Sequence, residues 1–242
     1  ASFFLLLWSV FCSYSYSIIT AQKVNPFSHA RTEKEYNKAG VYMKKWILLA
    51  LAAAAVFYFM REKPTIKNLN NPGQTIVAFG DSLTAGYGAP KGASYPDVLA
   101  QQLGRPVVNL GLNGDTSAAA VSRLPLVLEQ NPYMVLIEFG GNDFMRGVPF
   151  DETERALREL VKSVQAAGAV AVVVDTGGYS QMGRYGRLYK QIAREEGALF
   201  VPGILDGIFQ RNQYKADPIH PNAAGYKIVA DRVYKVISPY VH

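Results

Sequence analysis

Serine, aspartate and histidine, the three side chains of a serine-hydrolase triad, occur in this sequence at positions where a triad could form. Ser82 lies in a Gly-Asp-Ser-Leu segment, and Asp217 precedes His220 by three residues. A serine hydroxyl becomes a nucleophile when a histidine removes its proton and a carboxylate orients that histidine. The other two histidines are His29, in an apolar and basic leader, and His242, the last residue of the sequence. His220 is therefore the candidate base.

An acyl-transfer site also needs hydrogen-bond donors for the oxyanion of its tetrahedral intermediate. Asn142 offers a side-chain amide, Gly114 a backbone N–H that no Cβ shields, and Ser82 its own N–H. Each feature has a simpler structural explanation, because Ser82 could cap a helix, the glycines could serve tight turns, and Asp217 could cap the last helix. Their joint occurrence, in order along the chain, favours catalysis.

These residues must be held by regular elements, and short apolar runs alternate with segments of helical periodicity from Thr75 onward. This alternation predicts an α/β domain, a parallel sheet flanked by helices. The predicted strands are Thr75 to Phe79, Pro106 to Leu110, Met134 to Phe139, Ala169 to Val174 and Leu199 to Val201. The predicted helices are Tyr95 to Leu103, Thr116 to Gln130 with a kink at Pro125, Glu152 to Ala167 after an Asp151 N-cap, Arg184 to Glu196, and Asn222 to Val236. The candidate residues follow the strands, at the edge where parallel sheets bind ligands.

The segments that carry these residues resemble the SGNH, or GDSL, hydrolase superfamily, in particular its bacterial periplasmic thioesterase, arylesterase and lysophospholipase branch. The resemblance extends from about Gln74 to Ile237. Its four blocks are Gly80 to Leu83, Gly114 in Asn-Gly-Asp-Thr, Gly141 to Asp143, and Asp217 with His220. It implies a three-layer α/β/α, flavodoxin-like fold with about five parallel strands and an open site.

The resemblance also implies an activity, a serine esterase that hydrolyses carboxylic esters or thioesters through an acyl-enzyme on Ser82. Within it His220 is the base and Asp217 orients His220. The oxyanion hole consists of the N–H groups of Ser82 and Gly114 and the Asn142 side chain. No metal or cofactor takes part, and the substrate is a small-molecule ester, thioester or lipid. In relatives the loop after the Asn block, residues 144–150 here, moves when substrate binds.

The residues that contact substrate are less determined by the sequence. Met145, Phe150, Tyr179 and Met182 could line an apolar groove for an acyl chain, or the aromatic and methionine side chains near the fourth strand could be ordinary packing beneath a loop. Both interpretations stay open at this point.

Two other classes of function also stay open. A metal-dependent phosphoesterase could use Asp81, Asp143, Asp217 and His220 as ligands, since oxygen and nitrogen donors suit divalent metals. A noncatalytic envelope protein could use the same fold as a binding scaffold.

The basic charge of the 242-residue chain is concentrated at its N-terminus. The formal net charge is +6, of which residues 1–63 hold +5, so the remainder is almost neutral. No basic stripe with interleaved aromatic residues is present, and we expect no nucleic-acid partner. With 49% hydrophobic and 18% charged residues and a single cysteine, Cys12, the chain is neither disordered nor stapled by disulfides.

The N-terminal region is expected to direct the protein to a membrane. Residues 1–42 are a doubtful upstream or leader segment. Residues 43–60 form a signal-anchor or signal peptide, in which Lys44 and Lys45 precede the apolar run Trp46 to Met60. Residues 61–73 are a linker and residues 74–242 a monomeric hydrolase domain. The run ends in bulky residues, which argues against cleavage, so we expect a periplasmic enzyme tethered to the inner membrane; the alternative is cleavage after Ala55 and a soluble periplasmic enzyme.

Overall fold

The computed structural model describes residues 40–53, 65–177 and 182–241. The chain divides into two compact units, Ala1–Lys63 and Pro64–His242. In the first unit, residues 40–53 form a helix with exposed apolar side chains, Trp46 and Leu48 among them. No helix within the described residues is both long and apolar enough to cross a membrane. The predicted leader, residues 1–42, lies outside the described residues except for its last three positions, and the predicted anchor over 43–60 lies partly outside them.

The second unit is built on a sheet of five parallel strands, as the apolar runs predict. The strands are β1 (Thr75–Gly80), β2 (Val107–Gly111), β3 (Pro132–Glu138), β4 (Val170–Val174) and β5 (Leu199–Val201), in the order β2-β1-β3-β4-β5. Strands β3 and β4 are buried along their whole length, which strands covered on both faces require. The chain changes direction across the sheet between β2 and β3, so the carboxyl ends of β1 and β3 flank a topological switch point.

Helices cover both faces of the sheet, and the predicted three-layer α/β/α architecture is confirmed. They are α1 (Ser82–Ala85), α2 (Tyr95–Leu103), α3 (Ser117–Ser122), α4 (Leu124–Leu128), α5 (Gly141–Met145), α6 (Phe150–Ala166), α7 (Gly183–Glu196) and α8 (Ala223–Ile237), with 3-10 turns at Asn212–Tyr214 and Ser238–Tyr240. Alternate residues of β1 point to opposite faces: Val77 and Phe79 pack with α3, α4, α6 and α7, whereas Ile76 and Ala78 pack with α2 and α8.

Two predicted helix boundaries are wrong, and both corrections have a local cause. The segment Thr116 to Gln130 forms two helices, α3 and α4, that meet at Arg123. Pro125 lies in the first turn of α4, where the missing N–H removes no helical hydrogen bond. Helix α6 begins at Phe150, which places Asp151 in its first turn rather than at the N-cap, and a carboxylate there interacts favourably with the helix dipole.

Residues 65–73, expected to belong to a linker, pack against the sheet unit instead; we name them the N-terminal strap. The Asn68 side chain donates hydrogen bonds to the carbonyls of Gln165 and Ala169, at 2.8 and 3.0 Å. The Asn71 side chain donates to the carbonyl of Tyr133 at 3.1 Å. Tyr133 lies at the start of β3, Ala169 directly precedes β4, and Gln165 lies in the last turn of α6, so the strap is fastened at the amino edge of the sheet.

Candidate active site

Ser82 lies directly after β1, in the first turn of the short helix α1. The helix is capped by Asp81, whose Oδ1 accepts the N–H of Leu83 at 2.9 Å. It ends at Gly86, which has a φ of 85° and donates its N–H to the Ser82 carbonyl. The capping role therefore falls to Asp81, and the Ser82 hydroxyl is directed elsewhere.

That hydroxyl faces His220 across the carboxyl edge of the sheet. Ser82 Oγ lies 3.0 Å from His220 Nε2, and His220 Nδ1 lies 2.8 Å from Asp217 Oδ2. The His220 side chain is 13% exposed and that of Asp217 is 35% exposed. The three residues singled out in the sequence thus form one continuous line, in which the imidazole can take a proton from Ser82 while Asp217 fixes its orientation.

A tight turn holds the histidine and the aspartate together. Asp217 Oδ1 accepts the backbone N–H groups of Ile219 and His220, both at 2.8 Å, while Oδ2 is left for the imidazole. Partial burial acts to raise the pKa of Asp217, but these hydrogen bonds outweigh it and lower the pKa below its ordinary value. Asp217 is therefore ionised at neutral pH, as an orienting carboxylate must be. The last helix is capped by Asn222 and not by Asp217.

One face of His220 is covered by Tyr87, a residue that the sequence did not single out. The two rings are 4.5 Å apart between centroids, and 51% of Tyr87 is exposed. The Tyr87 backbone is held by the Tyr226 hydroxyl, which donates to its carbonyl at 2.8 Å. Tyr87 therefore forms part of the rim beside the base.

Asn142 lies in α5, immediately after β3, between the segments that carry Ser82 and Gly114. Its Nδ2 donates to Asp81 Oδ2 and to the Asp115 carbonyl, both at 2.9 Å. Gly114 has a φ of 76°, a conformation that favours glycine. Asp81 precedes Ser82 and Asp115 follows Gly114, so the two hydrogen bonds of Asn142 reach residues next to the other two predicted oxyanion donors. The three predicted donors therefore belong to one cluster.

Arg146, another residue that the sequence did not single out, contacts this cluster on its exposed side. Its guanidinium donates to the Gly114 carbonyl at 2.6 Å.

Gly141 does not need glycine's freedom at positive φ. That conformation belongs to Gly140, with a φ of 115°.

A chain of buried polar side chains lies behind Ser82. Glu138, the last residue of β3, accepts from Thr84 Oγ1 at 3.0 Å, and Thr84 Oγ1 lies 3.1 Å from the Tyr95 hydroxyl. Burial, and then the charge of Asp81, raise the pKa of Glu138 well above its ordinary value. Burial also raises the pKa of Asp81 to about 6, against the opposing effect of its hydrogen bonds. The charged residue within an otherwise apolar predicted strand is the signal that could have identified Glu138.

The four residues proposed to contact substrate do not share one environment. Met145 is 56% exposed at the end of α5. Phe150 is half-buried, beneath the Arg184 guanidinium at 3.5 Å and edge-on to Tyr185. Met182 is only 5% exposed and belongs to the hydrophobic core beside α7, which favours the packing interpretation for this residue. Tyr179 lies outside the described residues.

The acidic residues considered as metal ligands are directed to different partners. Asp143 is fully buried and accepts from the Ser117 backbone at 3.0 Å, from the Ser117 hydroxyl, and from Thr153. Asp81 caps α1, and Asp217 holds His220. Over residues 40–53, 65–177 and 182–241, no three histidine, cysteine or acidic side chains form a group that could hold a metal ion.

Comparison with known proteins agrees with this geometry. The sequence profile of the GDSL-like Lipase/Acylhydrolase family matches residues 78–228. Thioesterase 1/protease 1/lysophospholipase L1 of Escherichia coli K12 is 33% identical over 177 residues, which cover 69% of this chain and 85% of that protein. A crystal structure of TesA matches with a TM-score of 0.65 and 31% identity, over 69% of this chain and 99% of that one. The psychrotrophic esterase EstA from Pseudoalteromonas, in a structure inhibited by monoethylphosphonate, matches with a TM-score of 0.62 and 28% identity, over 69% and 98%.

Proposed function

The chain belongs to the GDSL-like lipase/acylhydrolase family and is a hydrolase that acts on ester bonds, and from that premise we propose that Ser82 is its nucleophile, His220 its general base and Asp217 the residue that orients the base. The observation that carries the assignment is the continuous line of hydrogen bonds, 3.0 Å from Ser82 Oγ to His220 and 2.8 Å from His220 to Asp217. The first distance allows proton transfer from a nucleophile to its base, and the second is that of a hydrogen bond by which a carboxylate orients the base.

The proposed reaction has two halves that use the same groups. Ser82 Oγ attacks the carbonyl carbon of the substrate as His220 Nε2 accepts the hydroxyl proton. The tetrahedral intermediate collapses when His220 returns that proton to the leaving alcohol or thiol, and an acyl-enzyme on Ser82 remains. Water, deprotonated by His220, attacks this ester, and the acid is released as Ser82 regains its proton.

We assign the stabilisation of the oxyanion to the N–H groups of Ser82 and Gly114 and to the side chain of Asn142. In the substrate-free structure the Asn142 amide donates to Asp81 and to the Asp115 carbonyl. Since an amide nitrogen carries two hydrogens, a bound oxyanion must share or replace one of these bonds. The hydrogen bond from Asn142 to the oxyanion then stabilises the transition state more than the ground state, and this accelerates the reaction.

For the substrate we propose carboxylic esters and thioesters with an apolar acyl group. The E. coli relative is named a thioesterase and lysophospholipase, and the Pseudoalteromonas neighbour an esterase. Exposed apolar side chains lie in and beside α5, where Phe144 is 36% and Met145 56% exposed. They offer an acyl chain an apolar surface next to Asn142.

A substrate panel with one serine variant tests these assignments together. We expect the parent protein to hydrolyse p-nitrophenyl esters and at least one of acyl-CoA and lysophospholipid, and to be labelled by a fluorophosphonate. Ser82→Ala should lose both turnover and labelling, whereas Ser122→Ala, on α3, should keep both. Retention of more than a few per cent of esterase activity by folded Ser82→Ala would refute the nucleophile assignment.

We also propose that the enzyme works in the bacterial periplasm, held at the inner membrane by residues 43–60. The support is the sequence pattern: Lys44 and Lys45 precede the apolar run Trp46 to Met60, and Arg61 and Lys63 flank its other end. Cell fractionation should find the full chain in the membrane fraction, extractable by detergent and not by salt. Recovery of the full chain in the cytoplasm would refute the proposal.

A further inference from the structure

Glu138 is a fully buried carboxyl group for which the triad chemistry has no use. It ends β3, its exposed fraction is 0%, and its backbone pairs with Gly80, two residues before Ser82. An ionised carboxylate is costly to bury without compensating partners. The side chain must therefore either find several donors or carry a proton.

The donors around Glu138 are too few for an ionised group. Oε2 accepts from the Thr84 hydroxyl at 3.0 Å, while Oε1 is buried and meets no donor among the described residues. The carboxyl group of Asp81 also lies within hydrogen-bonding reach of this side chain. Because a carboxylate can only accept, a hydrogen bond between two carboxyl groups requires that one of them be protonated.

The proton belongs to Glu138 and not to Asp81. Asp81 receives two N–H donors, from the Leu83 backbone and the Asn142 side chain, both at 2.9 Å, and such donors stabilise a carboxylate. Glu138 receives one hydroxyl donor and faces the Asp81 charge. The other titratable groups that act electrostatically on the pair are His220, whose positive form favours ionised Asp81, and three tyrosines kept neutral by raised pKa values, Tyr95, Tyr189 and Tyr226.

We propose that Glu138 is a positioning residue of the active site, whose neutral carboxyl group donates a hydrogen bond to Asp81 and thereby fixes Asn142 and the first turn of α1. This inference rests on the proposed function, because it concerns the placement of the proposed nucleophile and oxyanion donor. Asp81 transmits the effect, since Oδ1 holds the turn that carries Ser82 and Oδ2 holds the Asn142 amide. Glu138 itself touches neither of the reacting groups.

Two substitutions separate a neutral donor from a space-filling residue. Glu138→Gln can accept from Thr84 and donate to Asp81 without charge, whereas Glu138→Leu can do neither. With p-nitrophenyl acetate we expect Glu138→Gln to keep kcat within about threefold of the parent. Glu138→Leu should lower kcat roughly 100-fold and leave KM within about threefold, because a misplaced oxyanion donor weakens the transition state and not substrate binding.

Tyr133→Phe is the matched control. It removes a buried hydroxyl at the opposite end of the same strand, where the Tyr133 side chain donates to the Tyr240 carbonyl. We expect it to lower the unfolding temperature and leave kcat unchanged. Should Glu138→Leu fail to fold, Glu138→Asp replaces it, since the shorter side chain cannot reach both Thr84 and Asp81.

The outcomes distinguish this inference from the proposed function. Parental kcat in Glu138→Leu would refute the positioning role, and an equal loss in Glu138→Gln and Glu138→Leu would refute the neutral donor. Ser82→Ala is assayed alongside them. If it keeps its activity, the proposed nucleophile is wrong; if it is inactive while Glu138→Leu turns over normally, only the inference about Glu138 fails.

Discussion

Asn142 donates a 2.9 Å hydrogen bond to Asp81, the residue immediately before Ser82. Two segments far apart in the sequence, Gly-Asp-Ser-Leu and Gly-Gly-Asn-Asp, are therefore joined through their aspartate and asparagine side chains. The carboxylate that caps α1 is also the one that holds the proposed oxyanion donor. Displacement of either residue should disturb both the proposed nucleophile and the proposed oxyanion donor.

Asn142→Ala should therefore leave a folded but impaired enzyme. Loss of one oxyanion donor typically lowers kcat roughly 100- to 1000-fold, and we expect a value in this range with little change in KM. Steady-state hydrolysis of p-nitrophenyl acetate, with circular dichroism to verify folding, measures the effect. A decrease that lies wholly in KM would assign Asn142 to substrate binding instead.

Asp217→Asn should impair the base without breaking the turn. The asparagine oxygen can still accept the N–H groups of Ile219 and His220, but its NH₂ group donates to His220 Nδ1 and leaves the proton on Nε2, where it opposes deprotonation of Ser82. We therefore expect a loss in kcat/KM of roughly 100- to 10,000-fold. Asp231→Asn is the control, because Asp231 is an exposed carboxylate on α8 paired with Lys227. We expect this variant to keep the kcat/KM of the parent.

The two methionines considered for the substrate groove should respond in opposite ways. Met145→Ala removes an exposed side chain, so it should leave the free energy of unfolding within about 0.5 kcal/mol and raise KM for long-chain esters. Met182→Ala opens a cavity in the core, so it should cost about 2 to 5 kcal/mol and leave the chain-length preference unchanged. Urea unfolding and a series of p-nitrophenyl esters measure the two effects. An unchanged chain-length profile in Met145→Ala would refute the proposal that the acyl chain contacts α5.

The protonation of Glu138 should be visible in stability as well as in catalysis. The unfolded chain holds Glu138 ionised above its ordinary pKa of 4.5, whereas the folded protein keeps it protonated because its pKa is raised. Folding therefore takes up a proton, and the free energy of unfolding falls as pH rises, by about 1.4 kcal/mol per pH unit up to the folded pKa.

Glu138→Gln cannot take up this proton and should lack that dependence, while Asp81 contributes alike to both proteins because the amide still donates to it. Urea unfolding at pH 5.5, 6.5 and 7.5 compares the two. The stability of Glu138→Gln relative to the parent should increase with pH, and parallel curves would mean that Glu138 is ionised in the folded protein.

The parts of the fold that the sequence predicts are those set by local chemistry. The apolar runs predict the five strands of the sheet, and they are most continuous in β3 and β4, because strands buried on both faces are rich in apolar residues. The proximity of Asp217 and His220 also follows from their spacing, since the neighbouring prolines restrict the backbone of the turn.

The remaining features depend on contacts between distant segments. Met182 suits a core as well as a groove, because a flexible apolar side chain is compatible with either. Glu138 stands out in its strand, but its partners Asp81 and Thr84 are supplied by the turn after β1. Residues 65–73 are predicted to belong to a linker, and their attachment depends on Asn68 and Asn71, whose amides donate to carbonyls at the amino edge of the sheet.

That attachment has a practical consequence for handling the enzyme. The N-terminal strap fastens at the amino edge through Asn68 and Asn71, and Tyr240, near the other end of the domain, is bonded to Tyr133 at the same edge. Ser82 and His220 lie at the opposite, carboxyl edge. An affinity tag, a fusion partner or a solid support joined at either end of the domain is therefore attached at the edge opposite Ser82 and His220.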